Sequence, residues 1–360
     1  MSKFLNEKYQ RLKTYTPGEQ PQDMKYIKLN TNESPYPPAP SVLSSINGEE
    51  IKNLRLYSDP QCKSLREKIA LLYGVSAQQV YLSNGSDDIL NFAFMAFSGN
   101  SIQAAFPDIS YGFYKVFAEL HGISYTEIPL SGDFSINYRD YCHINQFIVI
   151  ANPNAPTGLT LTVSQIEEIV RTNPSHVVVI DEAYVDFGAE SCYPLIHRYE
   201  NLLVVQTFSK SRSMAGGRLG FALGSQALIE DLEKLKYATN PYNVNRMTLI
   251  AGAATIEAND YYMDKCKEIA CTRNYTQEAL KKMGFDVLPS KANFIFAKSP
   301  HLSGKVIYDA LKEKGILIRH FPSPRISDYN RITIGTRNQM EILLHQLKII
   351  INERQSNENK

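Results

Sequence analysis

Three apolar runs set the tightest limit on how this 360-residue chain can fold. QFIVIA (146–151), HVVVI (176–180) and NLLVVQT (201–207) are rich in β-branched residues and show no polar alternation. A strand that faces water on one side alternates, whereas a strand apolar throughout must be covered on both. Between the first two runs lies TVSQIEEIVRTN (162–173), whose apolar residues recur at helical spacing. Strand, helix, strand is the pattern of an α/β chain with a parallel sheet and helices on its two faces. RLGFALG (218–224) reads as one further strand.

The flanking segments give the organisation. Residues 1–28 are polar and carry TPGEQPQD, which suits an arm rather than a domain. SLREKIALLYG (64–74) has helical spacing and a stop at Gly74. SNGSDDILNFAFMAF (83–97) reads as a turn feeding a helix, with Ser86 and Asp87 placed to cap its start. YGFYKVFAELHG (111–122) is a further helix ended by Gly122. From about residue 225 the texture changes to long helical stretches over 225–237 and 244–283, then short strands and helices. The expected division is an N-terminal arm (1–28), a large domain (29–243) and a smaller α+β domain (244–360) completed in part by the arm.

Several function classes are disfavoured. The net charge of +1 provides no tract for nucleic acid. No apolar run approaches the length of a membrane span, and the first fifteen residues lack the apolar centre of a signal peptide. The five cysteines form no CxxC pair, which suits reduced thiols in the cytoplasm. The seven histidines show no HExxH or HxxxH spacing, so no metal site is expected. There is no GxGxxG after a first strand and no GxxxxGK[ST], which argues against a nucleotide-binding protein.

Each of the three runs ends in polar residues. Asn152 and Asn154 follow the first, Asp181 and Tyr184 the second, and Ser209, Lys210 and Arg218 the third. Ligands of open α/β sheets bind outside the carboxyl ends of the strands. A lysine at a strand exit ordinarily just points at water. Beside an acid, a phenol, an amide and a guanidinium, it suits pyridoxal 5′-phosphate (PLP) chemistry, which needs a Schiff-base lysine and an acid on the pyridine nitrogen. Arg218, the Ser209 hydroxyl and a helix start at Gly85–Ser86–Asp87 could hold the phosphate.

KLNTNESPYPP (28–38), LYSDP (56–60), NGSDD (84–88), FPDISYGFY (106–114), NPNAPTG (152–158), DEAYVDF (181–187), TFSK and GGRLG within 207–220, and RITIGT (331–336) occur in one order across most of the chain. Together they resemble the histidinol-phosphate aminotransferase family, a class II, fold-type I group of PLP-dependent enzymes. The resemblance implies a large domain with a mostly parallel sheet and a smaller α+β domain. It implies Lys210 as the Schiff-base lysine and catalytic proton carrier, Asp181 as the partner of the pyridine nitrogen, and Tyr184 as a donor to the ring hydroxyl. Tyr111 resembles the aromatic that stacks on the ring, with Tyr114 as a core residue of the same helix. Ser86, Asp87, Ser209 and Arg218 resemble the phosphate cup. Tyr57 resembles the residue that reaches the phosphate of a neighbouring subunit, which implies a homodimer. Arg331 and Arg319 resemble the arginines that pair with the substrate's anionic group, with Tyr15 closing from the arm and Asn32 among the substrate residues.

The chain departs from the family pattern in places. Ala155 stands where many members carry an asparagine that bonds the ring hydroxyl, so that contact falls to Asn154 or to Tyr184 alone. The acidic pair Asp87–Asp88 replaces the commoner Asp-Glu, LYSDP keeps its tyrosine, and Gly217 replaces a common leucine. The activity implied is cytoplasmic amino-group transfer between L-histidinol phosphate and 2-oxoglutarate, in histidine biosynthesis. A threonine-phosphate decarboxylase or an aromatic-amino-acid aminotransferase of the same fold is the alternative.

Overall fold

The three apolar runs form the centre of a seven-stranded sheet in a computed structural model, which describes residues 2–99 and 101–358. In chain order the first strands are β1 (Ile27–Lys28), β2 (Val80–Ser83), β3 (Ala104–Pro107) and β4 (Tyr125–Ile128). They are followed by β5 (Phe147–Ala151), β6 (Val178–Asp181), β7 (Leu202–Thr207) and β8 (Gly220–Gly224). The large sheet has the order β2-β8-β7-β6-β5-β3-β4. Only β8 runs antiparallel to its neighbours; the other pairs are parallel.

The missing alternation now has its cause. Ile148, Ile150, Val178, Ile180, Leu202 and Val204 enter the core on one face. Phe147, Val149, Val179, Leu203 and Val205 enter the core on the other. Both faces are dry, so these strands are apolar up to their carboxyl ends, where Asp181, Gln206 and Thr207 stand. Local signals also hold. Thr162 and Gln165 form a reciprocal capping box on the helix Val163–Thr172. Gly74 and Gly122 end their helices in the left-handed conformation.

A smaller unit follows, with β9 (Asp286–Val287), β10 (Phe294–Lys298), β11 (Ile316–Leu317), β12 (Arg319–His320) and β13 (Tyr329–Thr333). Four of its strands form an antiparallel sheet in the order β12-β13-β10-β9. β1 pairs in parallel with β11, and Leu29 lies in the core of this unit. The end of the arm is therefore stitched to the smaller unit.

The packing divides the chain elsewhere than residue 243/244. Helix Arg246–Glu257 packs against helices Pro40–Ser45 and Lys63–Tyr73, with Ala251, Ala254 and Ile256 in a large-sheet core. The next helix, Asn259–Lys282, gives Tyr262 to that core and Cys266 and Ile269 to the core of the smaller unit. The passage from one core to the other thus falls inside a single helix.

Candidate active site

The carboxyl ends of β5, β6 and β7 open onto a cavity of about 480 Å³. Ala151 and Ala155 reach it from β5, Asp181 and Tyr184 from β6, and Thr207, Ser209 and Lys210 from β7. Arg319 and Arg331 face it from the smaller unit, and Tyr15, Pro17 and Gly18 from the arm. Convergence at one sheet edge is what the strand-end pattern called for. A second depression, of about 600 Å³, lies beside Gln79, Pro174 and Asn201, at the opposite ends of the parallel strands.

Lys210 follows a tight turn after β7. The Ser209 N–H donates to the Thr207 hydroxyl oxygen at 3.2 Å, and the Thr207 hydroxyl donates to Ser209 Oγ at 3.0 Å. The turn is pinned further by Ser213 on Ser34 at 2.9 Å and by Arg212 on Asn259 at 3.0 Å. Lys210 Nζ donates to the Thr31 carbonyl at 3.0 Å. Burial, helped by the positive charge of Arg331, lowers its amine to about 8. A lysine so tuned offers a neutral amine near neutral pH, as nucleophilic and proton-accepting lysines must.

Asp181 is the last residue of β6 and is almost fully buried. Burial pushes its carboxyl up to about 6, opposed by hydrogen bonds from the Tyr114 hydroxyl and the Ala183 N–H. The Tyr114 hydroxyl lies 2.8 Å from Oδ2 and the Ala183 N–H donates to Oδ1 at 3.2 Å. Tyr114, read from sequence as a plain core residue, is buried as expected and also fixes the acid. Its place one helical turn beyond Tyr111 was the available signal. The hydroxyl of Tyr184 accepts from Asn32 Nδ2 at 3.0 Å, which leaves its own proton free to donate. Asn32 holds a left-handed conformation and is bonded to Thr333 and Asn293. It thereby links the smaller unit to Tyr184.

At the other end of the cavity begins the helix Ser86–Phe97. Its N-cap is Gly85 and no side chain caps it, so Ser86 and Asp87 are the first helical residues rather than caps. The uncapped N–H groups and the helix dipole favour an anion there. Two glycines make the approach possible. A Cβ on Gly85 would come within 2.7 Å of Arg218 Nη2, and one on Gly220 within 2.5 Å of the Ser86 nitrogen. The Asp87 side chain accepts hydrogen bonds, from the Tyr111 hydroxyl at 2.7 Å and from Arg218 at 2.9 Å.

Other expected residues stand differently. Asn154 does not line the cavity: its amide is spent on the Ile109 carbonyl and Thr157, and its oxygen accepts from Ser110. It holds the turn, and Ala155 occupies the cavity wall. Of the two candidates for the ring-hydroxyl contact, only Tyr184 faces the cavity. Tyr57 lies outside, 79% exposed and stacked on Tyr242. Arg319 spends its guanidinium on the Thr16 and Pro17 carbonyls, so it clamps the arm. Tyr15 stacks on Phe113. Arg331 donates to the Asn30 carbonyl at 3.0 Å and keeps a buried Nε without a partner. The Thr31 carbonyl and the Glu33 carboxylate also line the site and were not read from the sequence.

Comparison with known proteins gives the chain's family. The family model for aminotransferase class I and II matches residues 24–347. The histidinol-phosphate aminotransferase of Brachyspira hyodysenteriae is 48% identical over 352 residues, covering 98% of this chain and 99% of that protein. The crystal structure of the histidinol-phosphate aminotransferase from Clostridium acetobutylicum superposes with a TM-score of 0.83 at 25% identity, over 91% of this chain and 99% of that one. The enzyme of that name from Sinorhizobium meliloti, solved in complex with pyridoxal-5′-phosphate, gives a TM-score of 0.81 at 23% identity, over 91% and 92% of the chains. At that identity the likeness is one of fold.

Proposed function

The chain belongs to the class I and II aminotransferases, within the histidinol-phosphate aminotransferase family, and from that premise we propose that it moves an amino group between L-histidinol phosphate and 2-oxoglutarate with PLP as cofactor. The observation that carries the reading is one cavity that holds a tuned lysine, a buried acid, an anion cradle and a partly buried arginine whose Nε has no partner. PLP fits that set. The uncapped helix start, Ser209 and Arg218 would hold its phosphate, Asp181 its ring nitrogen, and Tyr184 its ring hydroxyl. When bound, PLP supplies an aldehyde that takes up the amino group and a ring that accepts electrons from the Cα–H bond.

The protein's own groups do the rest. Lys210 Nζ, neutral above about pH 8, would accept the proton from the Cα of the amine donor and return it on the cofactor side, before water releases the keto product and leaves the amino group behind. The Asp181 carboxylate holds the proton on the ring nitrogen. Arg331 receives the phosphate of one substrate and a carboxylate of the other, a task to which a guanidinium fork is suited. Tyr15 and the clamped arm cover the cavity and exclude water. We place the enzyme in the cytoplasm as a homodimer. The exposure of Tyr57 together with its chain neighbours Leu54 and Leu56 supports a partner there. No helix among the described residues is long and apolar enough to cross a membrane.

The test is a panel of amine donors. Histidinol phosphate, threonine phosphate and aromatic amino acids are each assayed for transamination and for CO₂ release. Histidinol phosphate should lead with no CO₂ formed. Release of CO₂ from threonine phosphate, or preference for dephosphorylated histidinol, would reject the substrate assignment.

Arg331→Ala is expected to lower kcat/KM of both half-reactions by roughly 100-fold, the loss of charge-assisted bonds to an anion. Arg319→Ala should cost less, about tenfold in both half-reactions, because it frees the arm from its clamp on the Thr16 and Pro17 carbonyls rather than removing a direct contact to the anion. Each half-reaction is run separately and followed by the cofactor's colour change. Wild-type rates in Arg331→Ala toward both donors would remove that arginine from the site.

A further inference from the structure

A chain of side-chain contacts crosses the cavity from its anion end to its acid end. Arg218 Nη2 donates to Asp87 Oδ2 at 2.9 Å, and the Tyr111 hydroxyl donates to Asp87 Oδ1 at 2.7 Å. The Tyr111 ring meets the Tyr114 ring edge-on at 5.7 Å, and the Tyr114 hydroxyl donates to Asp181 at 2.8 Å. The three partners at the anion end come from separate parts of the chain: a helix start, the turn before a second helix, and the segment before β8.

We infer that Asp87 is a positioning residue that ties the aromatic wall at Tyr111 to the guanidinium of Arg218, so that the ring-binding and phosphate-binding ends of the cavity are set as one unit. The inference rests on the PLP reading above. A carboxylate beside a site for a dianion is repulsive if left alone. Here each oxygen is spent, one on a cation and one on a phenol. The carboxylate therefore acts through its neighbours, and its helix-start N–H is the part suited to the phosphate. Arg218 takes a left-handed backbone conformation, and its half-exposed guanidinium lies against Gly85, where a Cβ would strike it, so the bond to Asp87 is what fixes the guanidinium. Tyr111 is likewise held. Burial and the Asp87 charge keep its proton on the phenol, so it stays a donor to the carboxylate.

The experiment is cofactor titration of the apo-protein, with the melting temperature of each apo-variant as a control for folding. Asp87→Ala should weaken PLP binding by about 10- to 100-fold, as for loss of hydrogen bonds to a charged group. Tyr111→Phe should weaken it less. In the double variant the loss should be no greater than in Asp87→Ala alone, because the two changes break one connection. Asp87→Asn, which keeps the shape and an acceptor for Tyr111, should fall between Asp87→Ala and wild type and stands in if Asp87→Ala fails to fold. Losses that multiply in the double variant would overturn the inference. So would tighter binding in Asp87→Ala or Asp87→Asn, which would mean that the carboxylate only repels the phosphate. A wild-type protein that takes up no PLP would overturn the functional reading, and this inference with it.

Discussion

Lys210→Ala is expected to fold, to take up PLP without covalent attachment, and to lose turnover by more than about 10⁴-fold, since one residue supplies both nucleophile and proton carrier. Its amine has little structural work to lose, being bonded to one carbonyl, that of Thr31. The turn around it is held by Ser209, Arg212 and Ser213 instead. Borohydride should fix the cofactor to the wild-type protein and leave Lys210→Ala unlabelled, read by intact mass. The pH dependence has a definite sign. Burial lowers the amine to about 8, so the neutral form gains as pH rises through that value. The rate of covalent cofactor uptake should climb through about pH 8 and then level off. Added methylamine should restore part of the proton transfer in Lys210→Ala, which damage to the fold would not permit. Near-normal turnover of Lys210→Ala would assign the chemistry to another group.

What the sequence disclosed follows from burial. β5, β6 and β7 were legible because both faces of the sheet are dry, which forces unbroken apolar runs. β4 was not, because it is an edge strand, YTEI, with its middle residues in water. β3 reads AAFP and carries no β-branched residue. β2 is four residues long and merges with the turn that follows. The helix Arg246–Glu257 was recognisable as a helix, but helical period does not say which core it joins. The site shows the same division. Lys210, Asp181 and Arg218 could be placed because a strand end fixes them. Asn154 and Arg319 could not, because their partners are backbone carbonyls of loops and arm, set by the tertiary fold. Asp87 was read as part of a phosphate cup, and nothing local says that its oxygens face a phenol 24 residues on and a guanidinium 131 residues on.

Asp181→Asn should cost about 10²- to 10³-fold in kcat/KM, the range for removing one preorganised charge from a buried site. The substitution keeps size, and with its oxygen on the Ala183 N–H the new amide N–H can donate to the Tyr114 hydroxyl, so most of the loss reports the charge. The ionised carboxylate is what would hold a proton on the ring nitrogen, and a neutral amide cannot stabilise that cation. Burial raises the Asp181 carboxyl to about 6, so in the cofactor-free protein the anion is present above that pH and is lost as pH falls through it. Cofactor affinity should therefore weaken as the pH drops through about 6 in the wild type and show no such step in Asp181→Asn. The contacts from Tyr114 and Ala183 set how far burial can shift this group. Tyr114→Phe removes one bond that favours the anion, so the step should move to higher pH. The three proteins are compared by PLP titration across pH 5–8 and by kcat/KM at a pH where all hold cofactor. Asp181→Asn within a few-fold of wild type on both measures would mean that the ring nitrogen is bound elsewhere, and that Asp181 and Tyr114 form only a buried structural pair.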